Sequence, residues 1–245
     1  RGMTHSRMKS KSDLLPYYES QMSRLCANFA ISADLALVLG GRLKFEEMLS
    51  GRFADAFSTL YLGYACMWHY KHNKNVEGID ALFELSMETL LQQNEDALMG
   101  LSSNFPVPGI GLVMRGVCFP MGKSYHGPTD DMRKAASGAI SSPTAIRDHL
   151  SQGIFISEDK NDQLRIMNDI LGEAVEADKI QAAARKAKRS LTHGEQELVD
   201  KVAKVVDRIV QVDSFEKLGE EVHAGAGFTR PALMNTKFVG SEEKV

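Results

Sequence analysis

The chain has 245 residues, 43% of them hydrophobic and 25% charged, which suits one large globular domain or two small ones. Its formal net charge is −3 and its pI about 6.2; that balance excludes the concentrated basic face of a nucleic-acid binder. No uninterrupted run of about 18 apolar residues occurs, so no membrane-spanning helix is expected.

The opening stretch, RGMTHSRMKSKSD, carries basic residues without an apolar region behind them. It reads as a linker or the cut end of something longer, not as a secretory signal. Asp13 is a candidate cap for a first helix, with Pro16 inside the first turn, where a missing N–H costs little. Met22, Leu25, Cys26, Phe29, Ala33, Ala36 and Leu37 follow at steps of three and four, one apolar helical stripe. Gly40-Gly41 is a natural stop.

A second helix is expected from about Leu43 to His72. Phe45, Leu49, Phe53, Ala56, Leu60 and Met67 form one apolar face, and Phe57, Tyr61, Ala65 and Trp68 form another. Two faces imply a helix packed on more than one side. A third, from about Val76 to Leu101, has Ile79, Leu82, Phe83, Ser86, Leu90, Ala97, Leu98 and Leu101 on its stripe. Glu84, Glu88, Gln92 and Glu95 are expected on its wet side.

Residues 105–128 are dense in Gly and Pro and predict turns with one short helix from Leu112 to Cys118. Shorter helices follow: one capped by Thr129, one opened by Ser142-Pro143, and one opened by Asn161 or Asp162. The last is signalled by Thr192 and Glu195 as a capping box, with Glu197 and Lys201 as an i,i+4 pair. No segment alternates as a strand does.

The expected class is therefore all-α, an antiparallel bundle of three long helices followed by a smaller set of shorter ones. Its expected divisions are a linker over 1–13, the bundle over 14–104, a connector over 105–128, a short-helix subdomain over 129–221 and an extended tail over 222–245.

Candidate chemistry is sparse. Cys26, Cys66 and Cys118 are odd in number and form no C-x-x-C pair, so buried structural thiols in a reducing compartment are expected. Among seven histidines only His69 and His72 are close, and a solvated helix end is the better reading than a metal site. The fragment GIGLVM from Gly109 to Met114 lacks the preceding strand and the lysine of a phosphate loop. No G-x-S-x-G elbow is present.

Asp34 and Asp55 sit in apolar helix stretches, where a buried carboxylate needs a partner. Arg42 and Arg52, with Lys44, are the candidates for a structural ion pair; the alternative is a general base. Arg115, Phe119, Lys123, Tyr125 and His126 form a candidate interface or anion-contact loop, in which cations stand beside aromatics. The alternative is an ordered connector whose aromatics fill a gap between helical layers. The basic stretch from Ile180 to Leu191 is the best candidate for a membrane-surface helix, with a plain solvated helix preferred.

Two stretches carry more. SRLCANFAISADLALVLGGRLKFEEMLSGRFADAFSTLYL and SSNFPVPGIGLVMRGVCFPMGKSYHGPTD resemble the C-terminal extension of bacterial-type long-chain acyl-CoA dehydrogenases. The resemblance rests on Gly40 to Leu62, Phe119 to Tyr125 and Pro128 to Asp130, and it covers about Leu14 to Leu150. Gly51 stands where the family has alanine, and His126 and Gly127 replace less polar residues, so no role is carried over to them.

The resemblance implies a parent enzyme that uses FAD and a carboxylate base to oxidise acyl-CoA thioesters in fatty-acid β-oxidation, with those sites upstream. It implies for this chain no catalytic, cofactor or metal site, and no activity alone. The first two helices are similar to the extra helical domain of very-long-chain acyl-CoA dehydrogenases. That likeness implies a homodimeric parent, contact with the upstream catalytic body, and peripheral membrane contact. The implied compartment is the cytoplasm, at or near the inner membrane, or the mitochondrion in a eukaryote. A free-standing helical adaptor without flavin is the alternative.

Overall fold

The computed structural model describes residues 13–210, which form two compact units dividing at Ile154. Among the described residues the structure is helical throughout, with no strand. The first unit holds α1 (Leu15–Ala36), a 3-10 segment (Leu37–Phe45), α2 (Glu47–His72), α3 (Ile79–Ser103), α4 (Ile110–Cys118), α5 (Asp130–Ile140) and α6 (Ala145–Leu150). Pro16 lies in the first turn of α1, where the N–H it lacks has no helical partner anyway. At the other end Gly40, with φ 49° and ψ −131°, breaks the 3-10 segment, so the Gly-Gly stop turns the chain toward α2.

The centre of the unit is α3, which packs against α1, α2, α4 and α5. Of residues 81–102 only Gln93 and Asp96 are exposed. Tyr18, Met22 and Leu25 from α1 are fully buried together with Met87, Leu91 and Leu98 from α3 and Met114 from α4. Each such side chain contributes about 1.5–3 kcal/mol through the apolar surface it removes from water. Phe83 ties three helices, stacking on Tyr70 at 4.0 Å and meeting Tyr18 edge-on at 5.3 Å.

Several expectations need correction. Within Leu15–Phe45 an 18-residue window has a mean hydropathy of 1.4, enough by length and composition to cross a membrane, although no unbroken apolar run of that length occurs. It packs as a core helix: its inner face carries Gln21, Asn28 and Ser32 beside Met22 and Leu25, and Asn28 donates to the Cys118 carbonyl at 3.1 Å. The supposed wet side of α3 is also wrong at Glu95, which is fully buried.

The expected division at residue 129 falls instead at Ile154, because α5 packs on α3 and Ile146 of α6 is buried in the main core. Gly78, in the left-handed conformation at the start of α3, admits the Ile146 side chain where a β-carbon would stand. Thr129 does cap α5, while α6 starts from Thr144 and not from Ser142-Pro143.

The second unit, by itself, is a hairpin of α7 (Gln163–Ala187) and α8 (His193–Val210). Asp162 caps α7, accepting the Arg165 N–H at 3.0 Å; at 25 residues this helix is as long as those of the bundle. Ala177, Ala184 and Val202 are buried between the two helices. Lys201 pairs across the hairpin with Glu173 at 2.6 Å rather than with Glu197 on its own helix. The tail over 222–245, the end of the expected subdomain and residues 1–12 lie outside the described residues.

At the hairpin turn the Arg189 guanidinium donates twice to Glu195, at 2.7 Å each, and the Thr192 N–H donates to the same carboxylate at 2.8 Å. The Arg189 bonds first, then the Thr192 N–H, hold the Glu195 carboxyl at about 2. A lowered folded pKa stabilises fully above the unfolded carboxyl value of about 4.3, and the contribution is lost as pH falls through the folded value. Carboxyl NMR should therefore show Glu195 titrating near the bottom of the glutamates, and Arg189→Gln should move it up toward the ordinary range. An unchanged midpoint in that variant would assign the shift elsewhere.

Candidate functional site

The loop after α4 is held to α3 by a buried carboxylate. Glu95 accepts the Ser124 N–H at 2.9 Å on each oxygen and the Tyr125 N–H at 2.7 Å. Charge-assisted bonds of this kind fix a loop that has no regular structure of its own. Tyr125 is buried and donates its hydroxyl to Gln21 at 2.7 Å; burial raises its pKa above the usual tyrosine value. Phe119 is buried too, and Lys123 pairs with Asp96 at 2.5 Å.

Arg115 and His126 are exposed, but the two aromatics of the loop are not, so no exposed cation–aromatic surface forms there. The loop is built as a connector that fills the seam between α1 and α3. The GIG fragment is likewise a packing device. A β-carbon on Gly111 would collide with the Ser102 backbone carbonyl, so glycine is required for α4 to close on the end of α3.

The ion pair expected of Asp34 or Asp55 with Arg42 or Arg52 is not formed among the described residues. Both carboxylates and Arg42 are exposed, so neither acid needs a buried partner, and Arg52 instead donates to the Met48 carbonyl at 3.3 Å. The cysteines also divide: Cys118 is buried and Cys66 half-buried, with burial raising both thiol pKa values, while Cys26 is exposed, contrary to expectation.

Two further features stand on α2. The first is a cavity of about 420 Å³ between α2, α3 and α6, lined mainly by Leu62, Ile79, Leu82, Phe83, Ile146 and Leu150. Cys66, His69 and Ser86 also border it. His69 does not act with its sequence neighbour His72, whose Nδ1–H donates to the Trp68 backbone carbonyl on the same helix at 2.7 Å. It faces His149 of α6, with the two Nε2 atoms 3.2 Å apart. Eighty positions separate the two, and only the fold brings them together.

The second feature is the outer face of α2. Phe57, Tyr61, Tyr64 and Trp68 are spaced four, three and four apart, which places them on one narrow stripe. They are 60%, 69%, 44% and 64% exposed. Leu37, Val38, Phe45 and Met48, near the start of the helix, are exposed as well. The first apolar face of α2 is thus buried in the bundle, apart from its end at Phe45. The second, expected to be packed, is uncovered. Four large side chains exposed along one helix stripe differ from the singly scattered surface hydrophobics of an ordinary domain.

Residues 1–218 match the family model described as acyl-CoA dehydrogenase, C-terminal, bacterial type. No solved structure matches the chain.

Proposed function

The chain belongs to the bacterial-type C-terminal family of acyl-CoA dehydrogenases, and from that premise we propose that it is the non-catalytic helical domain of an FAD-dependent long-chain acyl-CoA dehydrogenase of fatty-acid β-oxidation. In that role it covers the catalytic body of the same polypeptide and supports the dimer. The observation that carries this reading is the uncovered stripe of Phe57, Tyr61, Tyr64 and Trp68. Large aromatics dominate protein interfaces energetically, and a helix gains nothing by presenting four of them to water.

Among the described residues, neither the cavity beside α2 nor the Gly109–Gly111 turn is built to hold FAD. The cavity beside α2 is lined mainly by apolar side chains and offers no cluster of backbone N–H groups or arginines for a pyrophosphate. The Gly109–Gly111 turn is closed by Ser102. In this reading the flavin, the acyl-CoA and the carboxylate base all reside in the catalytic body. Peripheral membrane contact, through Ile180 to Leu191, and a place near an inner membrane remain secondary parts of the proposal; anionic vesicles that fail to sediment the chain at low salt would remove them.

The test is association of this chain with the separately expressed catalytic body. Joint replacement of Phe57, Tyr61 and Trp68 by serine should weaken binding at least 100-fold, since interface aromatics typically carry about 2 kcal/mol or more each. The helical signal should be unchanged, because these side chains leave the core intact. Equal binding by the variant would refute the stripe as the contact. A full-length natural product that is colourless, with no flavoprotein body, would leave the adaptor reading instead.

A further inference from the structure

We infer that His69, which borders the cavity between α2, α3 and α6, and His149 of α6 form a binding site for a borderline-soft divalent cation, of which Zn²⁺ is the representative. The inference is independent of the proposed function.

Both rings are half-buried and are carried by different helices, so their separation is set by packing and not by the flexibility of a loop. The centroids lie 5.3 Å apart with the ring planes at 45°, and the nearest atoms are the two Nε2. With 3.2 Å between the nitrogens, a single ion can reach both. An ion about 2.0–2.1 Å from each imidazole nitrogen would see them at roughly 100°, close to the tetrahedral angle. Two lone pairs facing each other at this distance otherwise share one proton as an N–H···N bond. A cation replaces that proton and engages both nitrogens.

The surroundings select the class of ion. Among the described residues no carboxylate joins the pair, so hard cations such as Mg²⁺ and Ca²⁺ lack the oxygen ligands they need. Imidazole suits zinc, copper, nickel and cobalt. Among the described residues no set of three His, Cys, Asp or Glu side chains converges on one point, so water completes the coordination and the site is an open one.

The experiment is a titration of the full chain with Zn²⁺, and with Co²⁺ as a spectroscopic probe, after treatment with a chelator. The expected result is saturable binding at one ion per chain and a melting midpoint that rises with Zn²⁺. Visible Co²⁺ absorption should have the intensity of a four-coordinate site. His69→Ala and His149→Ala should each weaken binding at least tenfold, and the double variant should lose little more than either, because one imidazole alone does not chelate. His72→Ala, on the exposed side of the same helix, should bind as the parent does. Circular dichroism of each variant without metal checks that it has folded; His69→Gln and His149→Gln serve if an alanine variant has not. Binding that survives both single variants, equal affinity for Mg²⁺, or no saturable binding would overturn the assignment.

Discussion

Glu95→Ala is expected to lower the melting midpoint of the first unit by roughly 10 °C, the consequence of a loss of about 3 kcal/mol. The carboxylate is fully buried and takes both backbone N–H groups that position the 122–128 loop. Its removal strands the Tyr125 N–H in the core and leaves a cavity behind, two costs that add. Glu95→Gln keeps the volume and one acceptor, so about half the loss is expected. In both variants the Tyr125 amide should lose protection from hydrogen exchange well before the amides of α3 do. A midpoint within 2 °C or so of the parent would show that Phe119 and the Tyr125–Gln21 bond hold the loop without the carboxylate.

The second large effect is opposite in sign from one glycine to another. Glycine-to-alanine changes inside helices ordinarily stabilise by about 0.5–1 kcal/mol, because the unfolded chain has less freedom to lose. Gly51 on α2 and Gly172 on α7 have open space where the methyl would go, so Gly51→Ala and Gly172→Ala should stabilise by that amount. At Gly51 the resembling family block carries alanine already. Gly111→Ala, though also helical, should destabilise by about 2 kcal/mol net: overpacking costs about 1–3 kcal/mol or more and outweighs the propensity gain. The methyl would meet the Ser102 carbonyl, which is backbone and cannot swing aside as a side chain would. Gly63 is the intermediate case, since its β-carbon would meet the flexible end of Met22. Chemical unfolding of the variants side by side reads these signs directly, and stabilisation by Gly111→Ala would refute the packing at α3 and α4.

The helices themselves were written locally. Apolar spacing of three and four placed α1, α2 and α3 to within a few residues, and Thr129 and Asp162 marked true starts because a cap acts on N–H groups two or three positions away. The family strings were legible for the same reason, as contiguous blocks. Such signals depend only on neighbours along the chain.

What tertiary structure alone decided was the partner of each side chain. Periodicity gave α2 two apolar faces, but it could not say that one is buried and the other bare, since that depends on how many helices are available to cover it. The same blindness put Glu95 in solvent: a carboxylate on a helix is normally wet, and only the return of the 122–128 loop, with its N–H groups aimed inward, makes its burial favourable. Asp34 and Asp55 show the converse, acids in apolar stretches that the helix simply turns outward. His69 and His149 lie eighty positions apart, and they became a pair only when α6 docked beside α2 and α3. Local propensity therefore determined the elements, and long-range packing determined which groups were desolvated and brought together, because desolvation is a property of the assembled core and not of any segment within it.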